Sequence, residues 1–396
     1  MHFSYKTTQK ACYMASVTSA LVNNYATLLY LTFQRSFGIS ILQVGTLMAV
    51  NFVTQMIVDV IGARFSEKIG YRKFMISAQA MVILGLVLMA LLPHVMANKF
   101  AALIIAVVCS AIGSGIIEVF TSPIIEALPS DSKSASLSLQ HSFYSWGMVA
   151  VIGISTLFFH FFGIQSWPLL TLLWTSVPLV TLILFALVPI NQLNAEKSGF
   201  SHLFDSRLFW IFMLFMVCSG AAEIAMSQWA SFFAEEGLKV SKTMGDLLGP
   251  CLFAVFMGIS RVLYPILHDR ISLSKYMLLS SIGCIATYML ASLSHNPYLS
   301  LMGCAMTGFF VGIAWPGTLS LAAKYNPKGG AAMFGILALS GDLGCTLGPE
   351  MVVLGASKLN ILSSPIHAGL LISALFPILM ILCLYVLKKT NKNQKV

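Results

Sequence analysis

Apolar runs of roughly 20 residues, the length that carries a helix across about 30 Å of hydrocarbon, recur from one end of this chain to the other. A chain built this way has few folds open to it, because inside a bilayer every backbone N–H and C=O must be satisfied within helices or a closed barrel. Segments of alternating polarity, the mark of a barrel, are absent. Twelve runs are expected to span: near 8–33, 41–64, 72–93, 99–128, 134–163 and 166–190, then 207–234, 243–267, 273–293, 297–323, 330–357 and 365–388. The longest polar gap, "NQLNAEKSGFSHLFDS" at 191–206, leaves six on each side. The expected fold class is therefore all-α integral membrane, with twelve transmembrane helices in two six-helix bundles, 1–190 and 207–396, joined by a cytoplasmic linker at 191–206. Composition agrees: of 396 residues, 58% are hydrophobic and only 9% charged, against about 25% charged in soluble domains.

The net charge of +9 has a topological explanation. With the N-terminus inside, 17 of the 23 Lys and Arg fall on the inner side, five on the outer side, and Arg261 within a span. That asymmetry is the positive-inside rule, and it predicts both termini in the cytoplasm of a multi-pass plasma or inner-membrane protein. The basic groups then face a lipid surface, and no nucleic-acid partner is expected. The first apolar stretch reads as a span and not as a cleaved signal peptide. The eight cysteines fall singly within helices, without CxxC spacing. No HExxH, Walker loop or GxSxG motif occurs, so the chain is not expected to be an enzyme, nor to hold a metal or cofactor.

The two halves resemble each other in the same order and direction. "EKIGYRKFM" corresponds to "DRISLSKYM", with Lys73 and Lys275 offset by 202. Gly115 and Pro123 are offset from Gly308 and Pro316 by 193, and Gly147 from Gly344 by 197. Three matches in register argue for a duplicated six-helix unit. "GARFSEKIGYRK" at 62–73 resembles the loop signature of the major facilitator superfamily. The resemblance covers nearly the whole chain, and it implies a transporter with its substrate site between two repeats. It also implies a cytoplasmic gate at Arg64, Glu67, Lys68, Gly70, Arg72 and Lys73, joined by Asp59 on the second span. Such a loop can tie helix ends by charge pairs and helix-end contacts.

Polar and ionisable groups within spans are costly and usually face a bundle interior, so they are the main functional evidence. Ser110, Ser114, Glu118, Ser122 and Glu126 follow at intervals of four in "GSGIIEVFTSPIIEALP" and form one stripe along the fourth span. Ser16, Ser19, Asn23, Thr27 and Tyr30 form another on the first, with Asn24 on its flank; such a stripe is expected to line a wet cavity. The fifth span adds Gln140, His141 and Tyr144 in "LQHSFYSWG". Either a place in a proton path or ordinary packing is open to His141. The second half offers Glu223, Gln228 and Trp229 on the seventh span, Trp315 before Pro316 on the tenth, and Asp342 on the eleventh. A proline at 316 is expected to free a carbonyl.

Glu118 and the "LQHSFYSWG" segment resemble the fucose and glucose-galactose permease branch, whose fourth span carries Gly-x-Gly-x-x-Glu. "VNNYATLL" resembles that branch's first span at Asn23 and Asn24. The resemblance implies proton-coupled sugar uptake by a monomeric alternating-access carrier, with small-molecule substrate and protons as its partners besides lipid, and it places the coupling role on Glu118. His141 is a second candidate for proton coupling. Asn23, Asn24, Thr27, Gln140, Tyr144, Glu223, Gln228, Trp229, Trp315 and Asp342 are candidates for substrate contact. Efflux of amphipathic compounds and passive uniport remain open from the sequence.

Overall fold

Each of the twelve apolar runs folds into helix, as a backbone without water to bond requires. The computed structural model describes residues 4–129, 133–190, 204–267, 270–325, 330–358 and 364–393; most of the expected linker lies outside them. No strand occurs among the described residues. Eleven stretches among them are long and apolar enough to cross a membrane. The first expected span, 8–33, is not one of these, because its polar stripe dilutes its apolarity and its helix is interrupted at Tyr25.

The chain divides into two compact units, Met1–Ala195 and Glu196–Val396. Unit 1 holds α1 (Tyr5–Asn24), α2 (Tyr30–Phe37), α3 (Ile41–Ile69), α4 (Tyr71–Val95), α5 (Lys99–Glu126), α6 (Lys133–Phe162), α7 (Trp167–Trp174) and α8 (Ser176–Leu187). Unit 2 holds α9 (Arg207–Phe232), the short α10 (Lys242–Asp246), α11 (Leu252–Leu267), α12 (Leu273–Leu293), α13 (Pro297–Val311), α14 (Ala314–Tyr325), α15 (Gly330–Lys358), α16 (Pro365–Ser373) and α17 (Leu375–Asn393).

The same internal pairings occur in both units. In unit 1, α5 packs on α4 and α3, and α1 on α6; in unit 2, α13 packs on α12 and α11, and α9 on α15. The glycines that suggested a repeat sit at equivalent contacts. A Cβ on Gly115 would lie 3.1 Å from the Gln55 carbonyl of α3. One on Gly308 would collide with the Phe253 carbonyl of α11. Gly147 brings α6 against Val17 and Ala20 of α1, and Gly344 brings α15 against the Val217 carbonyl of α9. Without hydrophobic drive between helices in lipid, such close backbone approach is a main source of packing energy.

The turn from α3 to α4 needs Gly70, whose φ of 85° is the left-handed region that a side chain resists. Two residues later the Arg72 guanidinium donates to the carbonyls of Phe185, Ala186 and Val188 at 3.0, 2.7 and 2.7 Å. A cation there satisfies carbonyls that the end of α8 leaves open and complements the helix dipole. Thr8 adds a hydrogen bond to the Pro189 carbonyl at 2.7 Å, so the starts of α1 and α4 are both tied to the end of α8.

Gly344→Ala is expected to lower the thermal unfolding midpoint of the detergent-solubilised protein, at an overpacking cost of about 1–3 kcal/mol. Gly153→Ala, where a Cβ meets nothing within 4 Å, should leave the midpoint unchanged or slightly raised. Equal effects of the two would remove close helix approach as the reason for Gly344.

Candidate functional site

The polar stripe of α1 is buried and bonded across to three other helices. Asn23 Oδ1 accepts from Asn51 Nδ2 and Gln55 Nε2, both at 3.0 Å, which ties α1 to α3. One turn before it, the Ser19 and Ser114 hydroxyls meet at 2.9 Å, tying α1 to α5. Gln140 Nε2 donates to Ser16 Oγ at 3.4 Å, and Asn24 Nδ2 to the Tyr144 hydroxyl at 3.4 Å, tying α1 to α6. Side chains expected to line a cavity are thus joined to one another, because a buried amide or hydroxyl without a partner costs more than the bond returns.

At Asn24 the helix breaks. Its side-chain amide bonds back to the Ala20 carbonyl at 2.9 Å, a local competition that bends helices. Leu28 N–H turns to the Tyr25 carbonyl, and the Asn24 carbonyl is taken instead by the Thr27 hydroxyl at 2.6 Å. A 3-10 turn, Ala26–Leu29, separates α1 from α2. Of the expected contact residues, Asn24 therefore borders the interruption and Thr27 lies within it, and carriers use such interruptions near binding sites.

Glu118 is exposed, one turn beyond the buried Ser114. The stripe of α5 therefore begins as helix packing, with Ser114 held by Ser19, and opens at the glutamate. The side chains of Ser122 and Glu126 lie outside the described residues. His141 is exposed and Tyr144 half-buried on α6. In the loop signature Lys73 is exposed, Asp59 is half-buried, and the side chains of Arg64, Glu67 and Lys68 lie outside the described residues.

In unit 2, Glu223 on α9 forms an ion pair with Arg261 on α11, Oε2 to Nη2 at 3.3 Å. The two side chains are 11% and 15% exposed, so each charge depends on the other to offset its desolvation. Gln228 and Trp229 are buried on the same continuous helix, and Trp229 packs edge-on against Phe232 at 5.4 Å. The ring of half-buried Trp315 covers Gly341 of α15, where a Cβ would collide with it. Asp342, the next residue, is buried.

Two groups of residues escaped the sequence reading. Asn51 and Gln55, with Asp59, recur at intervals of four on α3, and that spacing was the available signal. Asp246 lies fully buried at the start of the eighth expected run. It accepts from Ser231 and pairs with Lys242 at 3.0 Å, while Lys242 also reaches Glu235 at 3.3 Å. Their spacing of four, Lys242 to Asp246, is the only mark in the sequence.

Asn23→Leu would strand the buried donors of Asn51 and Gln55, and a loss of about 1–3 kcal/mol is expected for an orphaned group of this kind. Asn23→Ser keeps a neutral acceptor at the site and should lose less stability than the leucine variant. Unfolding midpoints of the two variants in detergent check this, and similar values would show that the clamp on Asn23 contributes little.

Among the solved structures that this chain resembles, two are similar over nearly the full length of both chains. One is the transporter FucP of the major facilitator superfamily in the outward conformation, with a TM-score of 0.68 and 16% identity over 96% of this chain and 98% of that one. The other is a variant of the E. coli fucose:proton symporter FucP, with a TM-score of 0.67, 16% identity and the same coverage. At that identity the likeness is one of fold. No curated protein matches the sequence. The sequence profile of the Major Facilitator Superfamily matches residues 12–349, and the chain belongs to that superfamily of membrane transporters.

Proposed function

We propose that this protein is a secondary active transporter that works by alternating access and couples proton entry to the uptake of a sugar or a similar small polar solute. The carrying observation is Glu118, an exposed carboxylate on the polar stripe of a membrane-length helix, next in line to the Ser19–Ser114 contact. A carboxylate in a span is costly, and it persists where water or a partner reaches it and where function needs it. The fold shared with a fucose:proton symporter supports the same reading.

In this proposal Glu118 takes the proton, with His141 along its path, and neutralisation changes its hydrogen bonding to substrate. Asn24, Thr27, Gln140 and Tyr144 offer neutral polar contacts of the kind that hydroxyl-rich solutes use. Asn23 holds the break in α1 in place while contributing its own amide. Glu223, Gln228, Trp229, Trp315 and Asp342 supply the second half's polar and aromatic groups. Arg64, Glu67, Lys68, Gly70, Arg72 and Lys73, with Asp59, form the cytoplasmic gate, of which the Arg72 bonds to α8 are one element. The proposal further holds twelve spans in two six-helix bundles, both termini in the cytoplasm, and a monomer in the cell's inner or plasma membrane.

Purified protein in proteoliposomes tests this with hexoses, uronates and amphipathic cations, with and without an imposed pH gradient. Wild type is expected to accumulate a sugar above the outside concentration only with the gradient. Glu118→Gln should equilibrate the same sugar without accumulating it. Gradient-driven accumulation unchanged in the variant would remove Glu118 as the coupling group. Equilibration alone in the wild type would indicate a uniporter, and transport of the cations alone would indicate efflux.

A further inference from the structure

Proline has no N–H, so Pro316 leaves the carbonyl four residues before it, that of Gly312, without its helical donor. The run breaks there: α13 ends at Val311 and α14 begins at Ala314. Arg261 Nε donates to the Gly312 carbonyl at 3.4 Å, and the same guanidinium reaches Glu223 through Nη2 at 3.3 Å. One side chain of α11 thus joins a carboxylate on α9 to the carbonyl freed at the break between α13 and α14. Only arginine has the planar fork of donors that spans two acceptors in this way.

We propose that Arg261 is a positioning residue that makes the setting of the α13–α14 break conditional on the charge of Glu223. With Glu223 ionised, the ion pair fixes the guanidinium over the Gly312 carbonyl. A proton taken up from water by Glu223 removes the carboxylate's charge, so the ion pair becomes a weaker bond between the still-cationic guanidinium and a neutral carboxyl. The guanidinium is then released, and the Gly312 carbonyl loses its fixed donor. The Trp315 ring, seated on Gly341, carries any change of bend to α15.

Other elements packed against α9 also carry titratable groups: Glu235 and Glu236 in the turn that follows it, Lys242 and Asp246 on α10, Cys304 on α13, Lys324 on α14, Asp342, Cys345 and Glu350 on α15, His367 on α16 and Cys383 on α17. Tyr288 of α12 bonds the Ala222 carbonyl at 2.7 Å. Among the described residues, Arg261 is the ion-pair partner of Glu223.

Amide hydrogen exchange of the full-length protein in lipid nanodiscs, read over residues 308–320, tests the proposal without any substrate. Its outcome is therefore separate from the fate of the Glu118 reading. Glu223→Gln is expected to speed exchange in this segment about tenfold, the effect of losing one charge-assisted hydrogen bond. Arg261→Lys should do the same, and the double variant no more than either. Wild-type exchange, corrected for its intrinsic pH dependence, should rise as pH falls, and Glu223→Gln should flatten that rise. Pro316→Ala returns a donor to the Gly312 carbonyl and should protect the segment and erase its response to Glu223→Gln. Additive single effects, a wild-type profile flat with pH, or a response that survives Pro316→Ala would each overturn the proposal.

Discussion

A polar group inside hydrocarbon must find its partner within the protein, and the internal order of each unit follows from that requirement. In unit 1 it is met by the Asn23 oxygen, which holds the amides of Asn51 and Gln55 and so fixes α1 against α3. In unit 2 it is met by Arg261, which satisfies both the Glu223 carboxylate and the carbonyl that Pro316 leaves open. Each joins separate helices through one side chain, so a change in one partner is felt by the others.

Both units also interrupt a helix beside such a junction. The break after Asn24 is closed by the Thr27 hydroxyl, and the break at Gly312 by a guanidinium. The first bond is neutral and local in sequence; the second depends on charges 38 residues apart. Packing between helices repeats faithfully, as Gly115 and Gly308 or Gly147 and Gly344 demonstrate. The polar chemistry does not repeat. A duplicated scaffold has thereby acquired a different polar junction in each half.

The helices were legible in the sequence because apolar length alone dictates them. The repeat-related glycines were legible because close approach tolerates no side chain. Glu118 stood out for a similar reason, as a carboxylate where hydrocarbon disfavours one. Asn51 and Gln55 were less conspicuous: neutral amides carry a weaker penalty, and their fourfold spacing acquires meaning only once Asn23 faces them. Asp246, with Ser231, Lys242 and Glu235 around it, was hidden because its partners come from both sides of a turn.

By itself the sequence determined the helical membrane class, the internal duplication and the inventory of intramembrane polar residues. Those follow from hydropathy, periodicity and the cost of burying charge, all of which are local. Tertiary structure alone decided which polar residues are joined to one another and which remain exposed. It turned the α1 stripe into helix–helix bonds and placed Glu118 at an exposed position one turn beyond Ser114. It also gave the Gly312 carbonyl to Arg261. The reason is physical: a hydrogen bond or ion pair is a distance between groups far apart in the chain, and spacing along one helix cannot state it.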